Sequence, residues 1–267
     1  MPLLVWIIVF SAVGGIASAA FAVVFLWISA ERAARILPHC VSFATGALLG
    51  AALLALLPEA IERAGVGGAH ALGVTLITGL GVFFVIEKLV LWWHLRGEEE
   101  NGRDAHAGHS HGHAHGREHA SGVLVLVGDS LHNALDGVLI AAAFLTSVSL
   151  GLVTTLAVAA HEIPHRVGDF AILVHAGFSR ARALLLNLTT GLASVIGAVA
   201  AWYGLRGALG ALPYALAFAA AGFLYIAVAG LIPGLHRRAD PGTSTWQVIL
   251  ITLGVGVIAA AEALAGR

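Results

Sequence analysis

The sequence predicts an all-α integral membrane protein, built as a bundle of eight transmembrane helices. Of its 267 residues, 59% are hydrophobic and only 11% are charged. A soluble domain carries roughly 25% charged residues, so this chain cannot cover a water-facing surface. The apolar residues also fall into runs of about 20, the length of a membrane-spanning helix. We number these spans 1 to 8, and they cover residues 3–28, 39–58, 71–95, 122–145, 151–175, 183–206, 213–235 and 245–264. Residues 1–267 then form a single transmembrane domain.

The distribution of arginine predicts how the bundle is oriented. The loops after spans 1, 3, 5 and 7 carry nine arginines, whereas the opposite side carries Arg63, Arg206 and Arg267. Cytoplasmic loops hold the excess of basic residues in membrane proteins, so the first set of loops is expected in the cytoplasm. Both termini are then extracytoplasmic.

Composition limits the class of partner and the compartment. The net charge of −1 gives no indication of a nucleic-acid partner. The single cysteine, Cys40, excludes an intrachain disulfide and a thiolate-rich metal site. Only one of the fourteen basic residues is a lysine, which together with the abundant Ala and Gly favours a GC-rich bacterial genome. We therefore expect a multi-pass protein of a bacterial inner membrane, surrounded by the lipid bilayer.

Residues 96–121 interrupt the apolar pattern. They begin with acidic residues and continue with histidines among Gly, Ala and Ser, so they have no apolar face to bury and are predicted to be a disordered cytoplasmic loop. Imidazoles at this density bind zinc, nickel or copper loosely. The alternatives are a polar linker with an accidental histidine bias or an affinity tag, although a tag is usually terminal and contiguous. The candidate loop ligands are His106, His109, His111, His113, His115 and His119.

Spans 4 and 5 carry polar groups at membrane depth, where they are expensive and indicate a functional site. In span 4, Asp129, His132 and Asp136 are three and four residues apart and share one helix face, with Asn133 offset. Span 5 contributes His161, Glu162, His165 and Asp169. This nitrogen and oxygen donor set suits Zn²⁺, Fe²⁺, Mn²⁺ or Cd²⁺. A lone polar residue is as readily explained by a hydrogen bond to a neighbouring helix, but six potential ligands on two helices are not.

Two features of span 5 bear on the chemistry. Pro164 lacks an amide donor and is expected to kink the helix within the cluster. The string from His161 to His165 also matches H-E-x-x-H, in which two histidines bind zinc and the glutamate is a general base. An intramembrane metalloprotease is therefore an alternative, supported by the Leu135-Asp136-Gly137 string. The order of the two motifs is reversed relative to such proteases, and the proline would distort the helix that positions both histidines.

The chain resembles the ZIP family of divalent-metal transporters over nearly its whole length. The resemblance is carried by GDSLHNALDG in span 4, HEIPHRVGDFAIL in span 5, LLPEAIE in span 2 and FFVIEK in span 3. It implies movement of a divalent cation, most readily zinc, towards the cytoplasm between spans 4 and 5, with no enzymatic activity and no organic cofactor. The implied metal ligands are His132, Asn133, Asp136, His161, Glu162 and His165. Residues implied to line or modulate the pathway are Glu59, Asp129, Arg166 and Asp169. A homodimer is kept as a candidate assembly.

Several positions depart from the family pattern. Arg166 replaces the usual glutamate, Ala51 and Ala55 stand where an Asp and a His are common, and Gly230 and Gly234 replace acidic residues. Arg166 follows Glu162 by four residues and can pair with it as a permanent positive charge. We therefore expect one principal metal site, mainly His132, Asp136, His161 and His165. Arg166 pointing away towards Asp169 or water is one alternative, and a transport-inactive metal sensor is another.

Overall fold

The computed structural model describes residues 2–19, 30–103, 113–175, 177–237 and 241–264. Within these ranges the chain is helical with short turns and contains no strand. The α-helices of the described part are α1 (Leu3–Ala12), α2 (Ala30–Gly50), α3 (Leu57–Ala64), α4 (Ala69–Arg103), α5 (His113–Thr146), α6 (Val148–His175), α7 (Arg180–Leu205), α8 (Leu212–Tyr225), α9 (Ile232–His236) and α10 (Pro241–Leu264). Segments of π-helix cover Val13–Ala17, Ala51–Leu56 and Ile226–Leu231, and short 3₁₀ turns cover Val66–Gly68 and Leu209–Ala211.

The prediction of an all-α membrane protein is confirmed. Five helical segments of the described chain are long and apolar enough to cross a membrane, namely Glu31–Ala64, Val66–Leu89, Arg180–Leu205, Leu209–His236 and Gly242–Leu264. Helices α5 and α6 are 34 and 28 residues long and are not among these five segments. The number of eight spans and the extracytoplasmic termini stay predictions.

The described residues include both ends of the segment 96–121, whose disorder stays a prediction. Residues 96–103 belong to α4 and residues 113–121 belong to α5, so the helices continue past the apolar spans. Glu, Ala and Arg in these flanks favour helix without needing an apolar face. His113, His115 and His119 lie on α5, whereas His106, His109 and His111 lie outside the described residues. Metal binding by these histidines stays a prediction.

Two pairs of helices approach each other closely at glycines. A Cβ on Gly137 of α5 would overlap the Ser194 carbonyl of α7, and a Cβ on Gly197 of α7 would overlap the Ala134 carbonyl of α5. A Cβ on Gly46 of α2 would likewise overlap the Ile251 carbonyl of α10. Small residues are the means by which helices approach in lipid, where no hydrophobic force drives them together. Gly137 directly follows Asp136, so this contact fixes the height of the polar cluster.

A cavity lies between the helices beside the polar residues of α5 and α6. We call the end of the bundle where α4 ends and α5 begins the histidine-rich end, and the opposite end, where α5 meets α6, the far end. The cavity has a volume of about 550 Å³, and its lining includes Val41, Glu87, Asp129, Asp169 and Gly230. Towards the far end, α5 and α6 continue into the apolar core, with Leu139, Ile140, Phe144, Leu150 and Val153 buried. None of these five core residues lines the cavity.

Candidate metal centre

Helices α5 and α6 run antiparallel and present their polar residues to each other. On α5, His132 and Asp136 are one turn apart, and on α6, His161 and Glu162 occupy the same level. Because side chains four residues apart share a helix face, His132 and Asp136 both approach His161 of α6. We call His132, Asp136, His161 and Glu162 the four-residue group. One ligand atom from each lies within 4.8 Å of all the others.

The spacing of these atoms matches what a tetrahedral zinc ion requires. The Nε2 atoms of His132 and His161 are 3.2 Å apart. Asp136 Oδ2 lies 3.4 Å from His161 Nε2 and 3.7 Å from His132 Nε2. Glu162 Oε1 lies 3.6 Å from His132 Nε2 and 3.9 Å from His161 Nε2. Zinc bonds of 2.0–2.1 Å in a tetrahedron separate the ligand atoms by about 3.3 Å. The four atoms are thus within small side-chain movements of a closed coordination shell.

The surroundings hold these donors ready for a cation. The Nδ1 atom of His161 lies 3.2 Å from the Ala157 carbonyl oxygen, so it donates there and leaves the Nε2 lone pair for a metal. Among the described residues, Asp136 Oδ2 and Glu162 Oε1 are buried without a hydrogen-bond partner. Unpaired carboxylate oxygens are costly in the interior of a protein. A cation bound between them would remove that cost.

A second group lies one turn nearer the histidine-rich end. His165 Nδ1 is 3.0 Å from Asp169 Oδ2 and 3.8 Å from Asp129 Oδ1. We call Asp129, His165 and Asp169 the cavity group, and one ligand atom from each lies within 4.8 Å of the others. The side chain of His165 is 45% exposed, whereas that of His161 is 2% exposed. All three residues of the cavity group line the cavity, together with His132 and His161, whereas Asp136 and Glu162 are not among its lining residues.

Arg166 links the two groups from a position with no exposed surface. Its Nε lies 2.8 Å from Glu162 Oε2, and its Nη1 donates to Asp129 Oδ2 at 2.6 Å. Its Nη2 donates to the carboxamide oxygen of Asn133. Each group thus has one carboxylate that shares an oxygen with the guanidinium. The alternative in which Arg166 points away from the cluster is wrong.

Helix α7 supplies the remaining partners of Arg166, and the sequence analysis did not identify them. Nη1 donates to Asn187 Oδ1 at 3.0 Å and to Thr190 Oγ1 at 2.5 Å, and Asn187 Nδ2 donates back to the Arg166 carbonyl at 3.0 Å. Their spacing of three residues in an otherwise apolar span was the available indication that α7 faces the cluster. Tyr225 of α8 likewise donates a hydrogen bond to Glu87 of α4, and both line the cavity.

The structure groups two predicted ligands differently from the sequence hypothesis. His165 belongs to the cavity group and Glu162 takes the fourth position beside His132, Asp136 and His161. Asn133 is turned away, because its Nδ2 donates to Asp129 Oδ1 at 2.9 Å and its carboxamide oxygen accepts from Arg166. Its role is to hold the second carboxylate and the guanidinium together.

The other predicted pathway residue, Glu59, lies elsewhere on the bundle. Glu59 of α3 is buried, and Arg63 Nε donates to its Oε1 at 2.5 Å. Arg63 also donates to the Thr146 carbonyl at 3.1 Å, where α5 ends. Glu59 therefore lies towards the far end, away from both groups. Helix α6 continues without interruption through Pro164.

Comparison with known proteins agrees with this arrangement. The family model described as ZIP Zinc transporter matches residues 2–262. The chain is 36% identical to Zinc transporter ZIP13 of Pongo abelii, across 85% of this chain and 67% of that protein. It is 35% identical to Zinc transporter ZIP13 of Homo sapiens, across 85% of this chain and 71% of that protein. It is also 30% identical to Zinc transporter SLC39A7 of Mus musculus, across 91% of this chain and 67% of that protein. The chain belongs to the ZIP family of zinc transporters.

Proposed function

We propose that this protein carries zinc across a membrane and binds it between α5 and α6 in the four-residue group. The observation that supports the site best is the set of distances of 3.2–3.9 Å among its nitrogen and oxygen atoms. Two imidazoles and two carboxylates are the donors that zinc takes in proteins. Fe²⁺, Mn²⁺ and Cd²⁺ accept the same donors and are proposed as competing substrates.

Arg166 limits the number of cations that the site holds. Its guanidinium stays charged and occupies one oxygen of Glu162 and one of Asp129. We propose that it takes the place of a second metal ion, so that one zinc binds tightly within the membrane. Glu162 and Asp129 each keep one oxygen on the guanidinium when zinc leaves, which favours release over trapping.

The cavity indicates the side on which zinc exchanges with water. Its lining includes Asp129, His165 and Asp169 on the histidine-rich side of the four-residue group, and neither Leu139 nor Val153 of the core towards the far end. This supports exchange of zinc with water at the histidine-rich end. We propose that this side is the cytoplasm, because the loops there carry most of the arginines. We also propose that the protein lies in a bacterial inner membrane, crosses it with eight spans and has both termini outside the cytoplasm. A homodimer is the proposed assembly. The histidines of residues 96–121 are proposed to receive the released ion.

Two other activities were considered from the sequence. Membership of a transporter family overturns the metalloprotease, for which Glu162 would have to activate a water molecule. Its Oε2 instead lies 2.8 Å from the Arg166 guanidinium, which stabilises it as an ion-pair partner rather than as a base. A transport-inactive metal sensor is the remaining alternative, and it differs from a transporter in binding zinc without moving it.

The test is uptake of radioactive zinc by liposomes that contain the purified protein. His132→Ala and His161→Ala are each expected to abolish uptake, with the variants still inserted and monodisperse. His70→Ala is the matched control, because His70 is an exposed imidazole near the start of α4 and lies outside both groups. Unchanged uptake in both site variants would refute the site. Zinc binding in detergent with no uptake by the unmodified protein would identify a sensor.

A further inference from the structure

The geometry points to a second, weaker zinc-binding station formed by Asp129, His165 and Asp169, which receives the ion from the four-residue group. This inference rests on the proposed function, because a relay is needed only if zinc moves. The station offers one imidazole nitrogen and two carboxylate oxygens, with distances of 3.0 and 3.8 Å from the nitrogen to the two oxygens. Three protein ligands with a position left for water are the arrangement of an exchangeable zinc site.

The station lies next to the four-residue group in the direction of the cavity. Asp129 precedes His132 by three residues on α5, and His165 follows His161 by four residues on α6. Because the helices are antiparallel, both shifts have the same direction and amount to about 4.5–6 Å at 1.5 Å per residue. The rings of His132 and His165 stack with their centroids 5.4 Å apart. A cation can therefore pass from one set of ligands to the next in a single short step.

The most exposed ligand belongs to the station. The side chain of His165 is 45% exposed, against 21% for His132 and at most 2% for Asp136, His161 and Glu162. The other two station residues, Asp129 and Asp169, are 2% and 10% exposed. All three station residues line the cavity. Water can reach an ion held there and replace its ligands one at a time. The station is thus suited to release, and the buried group to selection.

Arg166 gives the station a reason to bind weakly. Its Nη1 donates to Asp129 Oδ2 at 2.6 Å, and Asn133 Nδ2 donates to Asp129 Oδ1 at 2.9 Å. The carboxylate that a zinc ion would use is therefore already shared with a fixed cation and an amide. The permanent charge beside it lowers cation affinity at this position. An ion arriving from the four-residue group would not be trapped on its way out.

A different role for Asp169 is the competing explanation. The 3.0 Å contact between His165 Nδ1 and Asp169 Oδ2 resembles the carboxylate that orients a metal-binding histidine. In that case Asp169 only positions His165, and no ion binds between them. The two explanations differ in where zinc binds once the four-residue group is disabled.

The test is equilibrium binding of zinc to the full-length protein in detergent. The background replaces His106, His109, His111, His113, His115 and His119 with alanine, so that they do not bind the probe. Adding His132→Ala and His161→Ala removes both imidazoles of the four-residue group. We expect one weak zinc ion per chain to remain, bound at least 100-fold less tightly than to the background protein, and to be lost when Asp169→Asn is added. Glu87→Gln is the matched control, because Glu87 lines the same cavity outside the station, and it should leave the weak ion bound.

Three outcomes would overturn the station. In the first, the variant that lacks both imidazoles binds no weak zinc ion. In the second, that variant still binds the weak ion after Asp169→Asn is added, and in the third, Asp169→Asn alone removes the tight ion. The last result would mean that Asp169 positions His165 for the four-residue group. Retention of the tight ion in that single variant also shows that the protein still folds. Binding is measured without transport, so failed uptake would refute the proposed function and leave this test intact.

Discussion

The Nε atom of Arg166 lies 2.8 Å from Glu162 Oε2, and neither side chain has any exposed surface. A guanidinium in this position costs several kcal/mol to desolvate and is tolerated only when its hydrogen bonds are satisfied. Partners on α5 and α7 meet that condition for Nη1 and Nη2, since Asp129, Asn133, Asn187 and Thr190 all accept from them. The Nε atom has the ion pair with Glu162. Arg166 therefore belongs to the structure of the cluster as much as to its chemistry.

Removal of this charge is expected to destabilise the protein strongly. Arg166→Gln leaves Glu162 and Asp129 buried without their cation, and breaking such a pair costs roughly 3–5 kcal/mol. The measurement is the fraction of monodisperse protein in detergent after heating over a range of temperatures. Added zinc should protect the variant more than the unmodified protein, because the ion can then bind the freed carboxylates. A variant as stable as the unmodified protein would contradict this interpretation.

Arg63→Gln is the matched control for that experiment. Arg63 also pairs with a glutamate four residues away, Glu59, at 2.5 Å, but its side chain is 38% exposed. Ion pairs that water can reach contribute about 0–1 kcal/mol. We expect a small loss of stability and no additional protection by zinc.

Reversal of the charge at position 166 is expected to change how many ions bind. Arg166→Glu removes the fixed cation and adds a carboxylate beside Glu162 and Asp129, so a second cation is needed to balance the cluster. With the six histidines of residues 96–121 replaced, tightly bound zinc should rise from one to two ions per chain. Arg166→Gln is the control, because it removes the positive charge without adding a carboxylate. It therefore distinguishes the effect of losing the cation from the effect of gaining a ligand. A single tight ion in the glutamate variant would show that Arg166 does not stand in for a metal.

The sequence predicted the class of fold and the chemistry of the cluster better than its pairing. The i, i+4 spacing was enough to place His132 and Asp136 on one face of α5, because this rule acts within a single helix. That this face meets His161 was implied by the resemblance to the ZIP family. Whether Glu162 or His165 completes the group depends on the rotation of α6 against α5, which no single helix specifies. Asn187 and Thr190 were missed for the same reason, since their importance arises only from the packing of α7 on α6.

A carboxylate placed on the cavity wall is expected to strengthen zinc binding. Gly230 lines the cavity, and a Cβ built on it meets no atom within 4 Å. Gly230→Asp should therefore fit, and a negative charge in a cleft with apolar walls raises the local concentration of cations. We expect the half-saturating zinc concentration for uptake to fall several-fold. Gly230→Asn has nearly the same shape without the charge and should leave that concentration unchanged, so equal behaviour of the two variants would refute the explanation.

The close contact at Gly137 is expected to set the position of the metal ligands as well as the stability of the bundle. Gly137→Ala would bring its Cβ into the Ser194 carbonyl of α7, and overpacking of this kind costs about 1–3 kcal/mol. Because a carbonyl held in a helix cannot move aside, α5 must shift, and Asp136 shifts with it. The variant should melt at a lower temperature in detergent and bind zinc more weakly. Gly168→Ala is the control on α6, since a Cβ there meets no atom within 4 Å and alanine favours helix. Equal stability of the two alanine variants would show that α5 and α7 do not depend on this contact.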